Sequence, residues 1–140
     1  MKIARIILLL LISFNLCAQD LNGEYISNET SFKDNLDSIN NFFEETKFDL
    51  FIFIEESNDD GRILIHDERI PDKVLIYKVI SLIDAVKSNG NNSFIYKCEA
   101  EHIGNVETTV IFFYDKKDKL HLMIHNNENS QVFHDLIKIK

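Results

Sequence analysis

Through the second half of the chain, apolar side chains fall on alternate residues. Phe94, Tyr96, Cys98 and Ala100 share one parity, while Lys97, Glu99 and Glu101 take the other. Successive side chains of a strand point to opposite faces, so this spacing predicts one buried and one wet face. Val106 to Tyr114 is rich in β-branched and aromatic residues, which suit a pleated surface, and carries apolar residues on both faces near its end. Leu120, Leu122 and Ile124 then alternate with His121, Met123 and His125. Ile103-Gly104-Asn105 joins the first two runs, and Asp115-Lys116-Lys117-Asp118 the next two. Gly and Asn accept the positive φ of tight reversals. Connections this short force antiparallel pairing, because parallel neighbours need a long crossover.

The same reading applied elsewhere gives about eight strands, over 21–27, 48–56, 62–67, 73–82, 93–101, 106–114, 119–125 and 131–138. Residues 82–86 suit a strand or one helical turn. One segment changes period. Phe32, Leu36, Ile39 and Phe43 lie at i, i+4, i+7 and i+11, which predicts an amphipathic helix over 31–45, with Thr30 or Ser31 as its cap. The expected fold class is mainly β: an antiparallel meander closing into an up-and-down barrel, with one N-terminal helix. The alternative is an α+β domain in which that helix packs on a curved antiparallel sheet.

The N-terminus carries a different signal. Lys2 and Arg5 precede an unbroken apolar run, Ile6 to Ile12, and Leu16-Cys17-Ala18 ends in a small residue. That is the layout of a secretory signal peptide over 1–18, leaving a single β-rich domain over 19–140. The expected location is therefore outside the cytoplasm, periplasmic or extracellular, with no membrane span after cleavage. Removing 1–18 takes away two basic residues and no acid. The remainder has 13 basic against 23 acidic side chains, a formal charge of −10, compared with −8 for the whole chain. Such a surface repels phosphate backbones, which excludes nucleic acid as a partner and favours cationic ones. Cys98 would be the one remaining cysteine, so no intrachain disulfide forms. Its place among Phe94 and Tyr96 predicts a buried thiol.

One stretch has metal-ligand spacing. Glu56, Asn58, Asp60, Gly61, Ile63 and Asp67 resemble the calcium loop of EF-hand proteins, with oxygen ligands at alternate positions and Gly at the bend. Glu56 and Asp67 depart from the usual end residues, and Asp60-Gly61 is also a hairpin signal. Calcium is thus the one candidate cofactor. His121 and His125 share a strand face but lie roughly 13 Å apart at strand spacing, too far to chelate one ion, and solvent-facing or loosely packed positions are expected for them. Neighbouring His134-Asp135 and His66-Asp67 point apart on a strand. No G-x-S-x-G, H-E-x-x-H, P-loop or G-x-G-x-x-G occurs. The reading is non-enzymatic, with no catalytic residues.

Gly23-x-Tyr25, opening a strand ahead of the meander, resembles the start of lipocalin-like small β-barrels. In that family a Gly-x-Trp occupies this place and a late basic residue packs on the aromatic ring, a role that falls here to Lys138 or Lys140. The resemblance implies an apolar cavity for a small hydrophobic ligand, lined by Phe94, Tyr96, Phe112, Tyr114, Leu122 and Ile124. The same residues would otherwise fill a dry core. Two functions are expected in consequence: a binding module for a small apolar ligand, or an inhibitor- or immunity-type protein that meets a basic protein partner with its acidic surface.

Overall fold

The computed structural model describes residues 21–34, 41–54, 60–88, 91–127 and 129–140. Its strands are β1 (Gly23–Asp34), β2 (Asn41–Phe53), β3 (Arg62–Asp67), β4 (Val74–Ser88), β5 (Asn91–Ala100), β6 (Val106–Tyr114), β7 (Leu120–His125), β8 (Asn129–His134) and β9 (Ile137–Lys138). Each pairs antiparallel with the next from β1 through β8. β8 then returns to β1, which closes an eight-stranded barrel. β9 continues the line of β8 and pairs Lys138 with Tyr25 and Ile137 with Ile26. Asp135, at φ 49°, makes the bend between them. The expected class, a mainly β up-and-down barrel, is the one observed, and its general shape is that of a lipocalin-like barrel.

The helix expected over 31–45 is a correction. Residues 31–34 complete β1 and 41–45 begin β2, with Phe32 opposite Phe42 and Ser31 opposite Phe43 in the ladder; 35–40 lie outside the described residues. The physical reason is the number of backbone partners. This half of β1 has β2 on one side and β8 on the other. Four apolar residues at helical spacing cannot compete with two ladders, and Asn35, Asn40 and Asn41 are poor helix formers. The α+β alternative falls with the helix, since the one helical element among the described residues is a 3-10 turn, Glu101–Ile103. Residues 82–86 are strand, within β4. The Gly104-Asn105 turn has the anticipated positive φ at both residues, 84° and 62°.

Period-2 alternation carries one set of side chains inward. Tyr96, Phe112, Phe133, Leu50, Ile63 and Leu122 are at most 1% exposed. Tyr96 meets Phe112 edge to face at 6.0 Å, and Phe48 meets Phe133 at 5.1 Å. The end of the barrel where β1 begins and β2 finishes is plugged. Leu21, Ile54, Leu120 and Leu136 are all buried there. Main-chain ties hold the plug: the Tyr25 hydroxyl donates to the Leu21 carbonyl (3.0 Å), Ile54 N–H to Asn22 Oδ1 (2.7 Å) and Leu136 N–H to the Leu120 carbonyl (2.7 Å).

Gly23 is the position where only glycine fits. A Cβ there would lie 2.4 Å from the Lys140 carbonyl oxygen and 2.6 Å from Lys138 Cε, at a φ of +152°. That close approach lets Glu24 N–H donate to Lys140 O at 3.0 Å. It also sets the Lys138 ammonium 5.7 Å from the centre of the Tyr25 ring. Of the two lysines named as candidates for the basic-on-aromatic contact, Lys138 makes it.

Candidate functional site

The six residues expected to line a cavity do converge. Tyr96, Phe112, Leu122 and Ile124 are buried in the core, with Phe94 and Tyr114 half-buried against it. They occupy facing positions on β5, β6 and β7, as Phe94↔Phe112↔Leu122 and Tyr96↔Val110↔Ile124. Their side chains pack into one core, with Tyr96 against Phe112, and an apolar pocket formed by described residues lies elsewhere.

That volume, about 150 Å³, opens at the unplugged end of the barrel. Phe32, Phe48, Ile65 and Leu75 supply apolar walls, and Ile70 reaches over them from the β3–β4 loop. Phe48 and Ile65 are buried members of the core, so the floor of the pocket is the top layer of the barrel interior. Gln131 adds a polar wall, and its amide donates to Thr30 Oγ1 at 3.3 Å.

The rim is built by the β3–β4 loop. Its turn forms because Ile70 N–H donates to the Asp67 carbonyl (3.0 Å) and Lys73 N–H to the Ile70 carbonyl (3.1 Å). Asp67 accepts from three Arg69 donors, the main-chain N–H at 2.9 Å, Nε at 3.0 Å and Nη2 at 2.8 Å. That guanidinium holds the Asp67 carboxyl below the usual carboxylate range. Arg69 also pairs with Glu44 on β2, and Lys47 with Glu68 at 2.6 Å, so the loop is tied to the barrel wall from two sides. Arg69 is committed by these contacts. Lys73, on the same rim, makes no ion pair with any other described residue.

Of the residues with calcium-loop spacing, the two described carboxylates, Asp60 and Asp67, are set apart. Asp60 precedes β3 and Asp67 ends it. At strand rise the intervening residues span about 20 Å, so these two carboxylates do not meet on one ion. Asp67 is engaged by Arg69, and Glu56 and Asn58 lie outside the described residues. Among the described residues no cluster of three or more His, Cys, Asp or Glu could hold a metal ion.

Sequence reasoning missed a polar cluster on the outside of the barrel, beside a groove of about 660 Å³ lined in part by Lys116, Lys117 and Lys119. His121, expected to be solvent-facing or loosely packed, is buried. Its Nδ1 accepts the Asp135 N–H at 3.2 Å, which leaves Nε2 to donate to Asp115 Oδ2 at 3.0 Å. Phe113 stacks on the ring at 5.1 Å and 18°. Donation from His121, aided by the Lys119 and Lys117 amides, holds the Asp115 carboxyl down at about 2. Next to it, the Ser31 hydroxyl and His134 Nε2 are 2.7 Å apart. Burial, then the neighbouring His121, lower the pKa of His134, which favours the neutral imidazole. The row Ser31, His134, His121, Phe113 thus laces four strands across the closing seam. The sequence held a signal for it: in a hairpin with a four-residue reversal, Asp115 falls beside the first residues of the returning strand.

Cys98 is buried as expected, with its thiol pushed up to about 12 by that burial. Among the described residues no helix is long and apolar enough to cross a membrane. Compared with family models, curated proteins and solved structures, the chain has no match.

Proposed function

We propose that this chain is an exported, non-enzymatic binding module of lipocalin-like design, whose ligand is a small apolar molecule seated in the open end of the barrel. The observation that carries the reading is the 150 Å³ pocket, with core residues Phe48 and Ile65 as its floor and a tethered polar rim above. A cavity of that size, lined by apolar side chains, accommodates a body of about benzene size and not a long acyl chain. Lys73 on the rim supplies a positive charge for a carboxylate or similar acceptor at the ligand's outer end. A short apolar acid has both features. The Gly23-x-Tyr25 pattern and the Lys138 contact support the lipocalin-like assignment, and the 1–18 segment supports export.

The test is a titration of the isotopically labelled protein with hexanoate and benzoate, monitored by methyl and amide NMR. Expected are saturable shifts at Ile65, Leu75 and Phe48, with dissociation constants roughly in the micromolar to millimolar range for ligands this small. A Leu75→Trp variant, which fills the mouth, should remove them while the fold is retained. Absence of shifts at these three residues, or shifts spread evenly over the outer surface, would refute the pocket as the site.

A further inference from the structure

β4 is longer than the barrel needs. Its pairing with β3 ends at Lys78 opposite Arg62, and one more bond comes after it, from Val79 N–H to the Gly61 carbonyl at 2.9 Å. The strand then runs on to Ser88, paired with β5 alone among the described residues. Residues 80–87 are all exposed, and four are large apolar side chains: Ile80, Leu82, Ile83 (57%) and Val86. Extra residues in the register at Ile80 and Ile83 mark two bulges. From Asp84 to Ser88 the ladder to β5 is regular again. Among the described residues, the other side of the strand is here an edge with main-chain groups available to a further strand. One sign is local: the Ala85 N–H donates to the carboxylate of its own neighbour, Asp84, at 2.8 Å.

From this we infer that the free edge of β4 around Asp84–Ser88 is a strand-addition site, taking an extended, cationic segment of a partner protein. The edge fixes the conformation of the occupant, since a second strand satisfies the exposed main-chain groups while its side chains cover Leu82, Ile83 and Val86. Charge fixes the sign. The chain carries a formal −8, so edge-to-edge pairing of two copies joins two acidic bodies, whereas a basic strand is attracted. The site is separate from the barrel mouth and stands whether or not that pocket binds a ligand.

Fluorescence anisotropy of a labelled nine-residue peptide alternating lysine with valine, titrated with the purified protein, tests it. Saturable binding is expected, weakening by about tenfold or more when glutamate replaces lysine in the peptide. Ala85→Pro removes one main-chain donor on the free edge, where proline is tolerated, and should weaken binding by about tenfold with an unchanged melting temperature. Ile83→Lys, which leaves the backbone intact, should weaken it by a similar factor and serves as the second variant if Ala85→Pro does not fold. No saturable binding, equal affinity for the two peptides, or undiminished binding by the folded variants overturns the proposal. A wild-type protein that sediments as a dimer while Ala85→Pro sediments as a monomer overturns it too, by assigning the edge to a second copy.

Discussion

The two ends of this barrel are made from the same alternating strands and do opposite things. At one, Leu21, Ile54, Leu120 and Leu136 fold across the opening and main-chain bonds pin them there. At the other, Phe32, Phe48, Ile65 and Leu75 stop short of meeting, and charged residues of a tethered loop ring the gap. The difference lies in the connecting segments at each end. At the plugged end, apolar residues at or just beyond the strand ends, Leu21, Ile54, Leu120 and Leu136, turn inward. The β3–β4 connection, with Asp67, Glu68, Arg69, Asp72 and Lys73 around one isoleucine, makes a rim.

The sharpest way to break this contrast is to truncate matched leucines. Leu21→Ala at the plugged end should cost about 2–5 kcal/mol in denaturant unfolding, as for fully buried sites. Leu75→Ala at the open end, where water already reaches, should cost about 1 kcal/mol or less. Equal costs would mean the ends do not differ as described. Gly23→Ala probes the tie that brings the chain's last residues against the plug. A Cβ 2.4 Å from a main-chain carbonyl has to displace β9, and a loss of about 1–3 kcal/mol is expected, with faster amide exchange at Glu24 and Ile139.

Acid should act on the same closing seam. Asp115 has a folded pKa of about 2, below its unfolded value, so its contribution to stability is complete above about pH 4 and is lost as pH falls from about 4 to about 2. Asp115→Asn should therefore flatten the stability profile in that window and leave the slope above pH 5 unchanged, as read by urea unfolding at each pH. The smallest effect is expected from Lys138→Met. It removes an exposed ammonium from the Tyr25 ring and should cost about 0.5–1 kcal/mol, with little dependence on the mouth of the barrel.

Much of the meander was legible. β3, β6 and β7 lie within a residue of their expected bounds, because there short runs rich in β-branched and apolar residues are marked at both ends by turn residues. The first hairpin was not, since Phe32, Leu36, Ile39 and Phe43 satisfy a helical period and the competing signal, pairing with a strand about a hundred residues away, has no local trace. The bound of β4 was missed for a related reason. Residues beyond the ladder to β3 read as either strand or helical turn, and only β5 decides between them. The inward parity of Tyr96, Phe112 and Leu122 was readable, but the position of the gap depends on a loop whose apolar content is a single side chain, Ile70. His121 was misjudged because its Asp115 partner is supplied by a turn, not by a neighbour in the ladder.

Closure through β1 and β8 has a kinetic consequence. Thr30 reaches the Val132 carbonyl and Ser27 the His134 carbonyl, contacts separated by more than a hundred positions in the chain. Such distant pairings form late and slow the search for the native state. A ribosome that has made everything up to β7 has therefore produced a curled sheet whose first strand is paired with β2 alone and still lacks its second neighbour, β8. A barrel completed by its eighth strand stays open through most of its synthesis, and its seam edges are the surfaces a chaperone would meet before it locks.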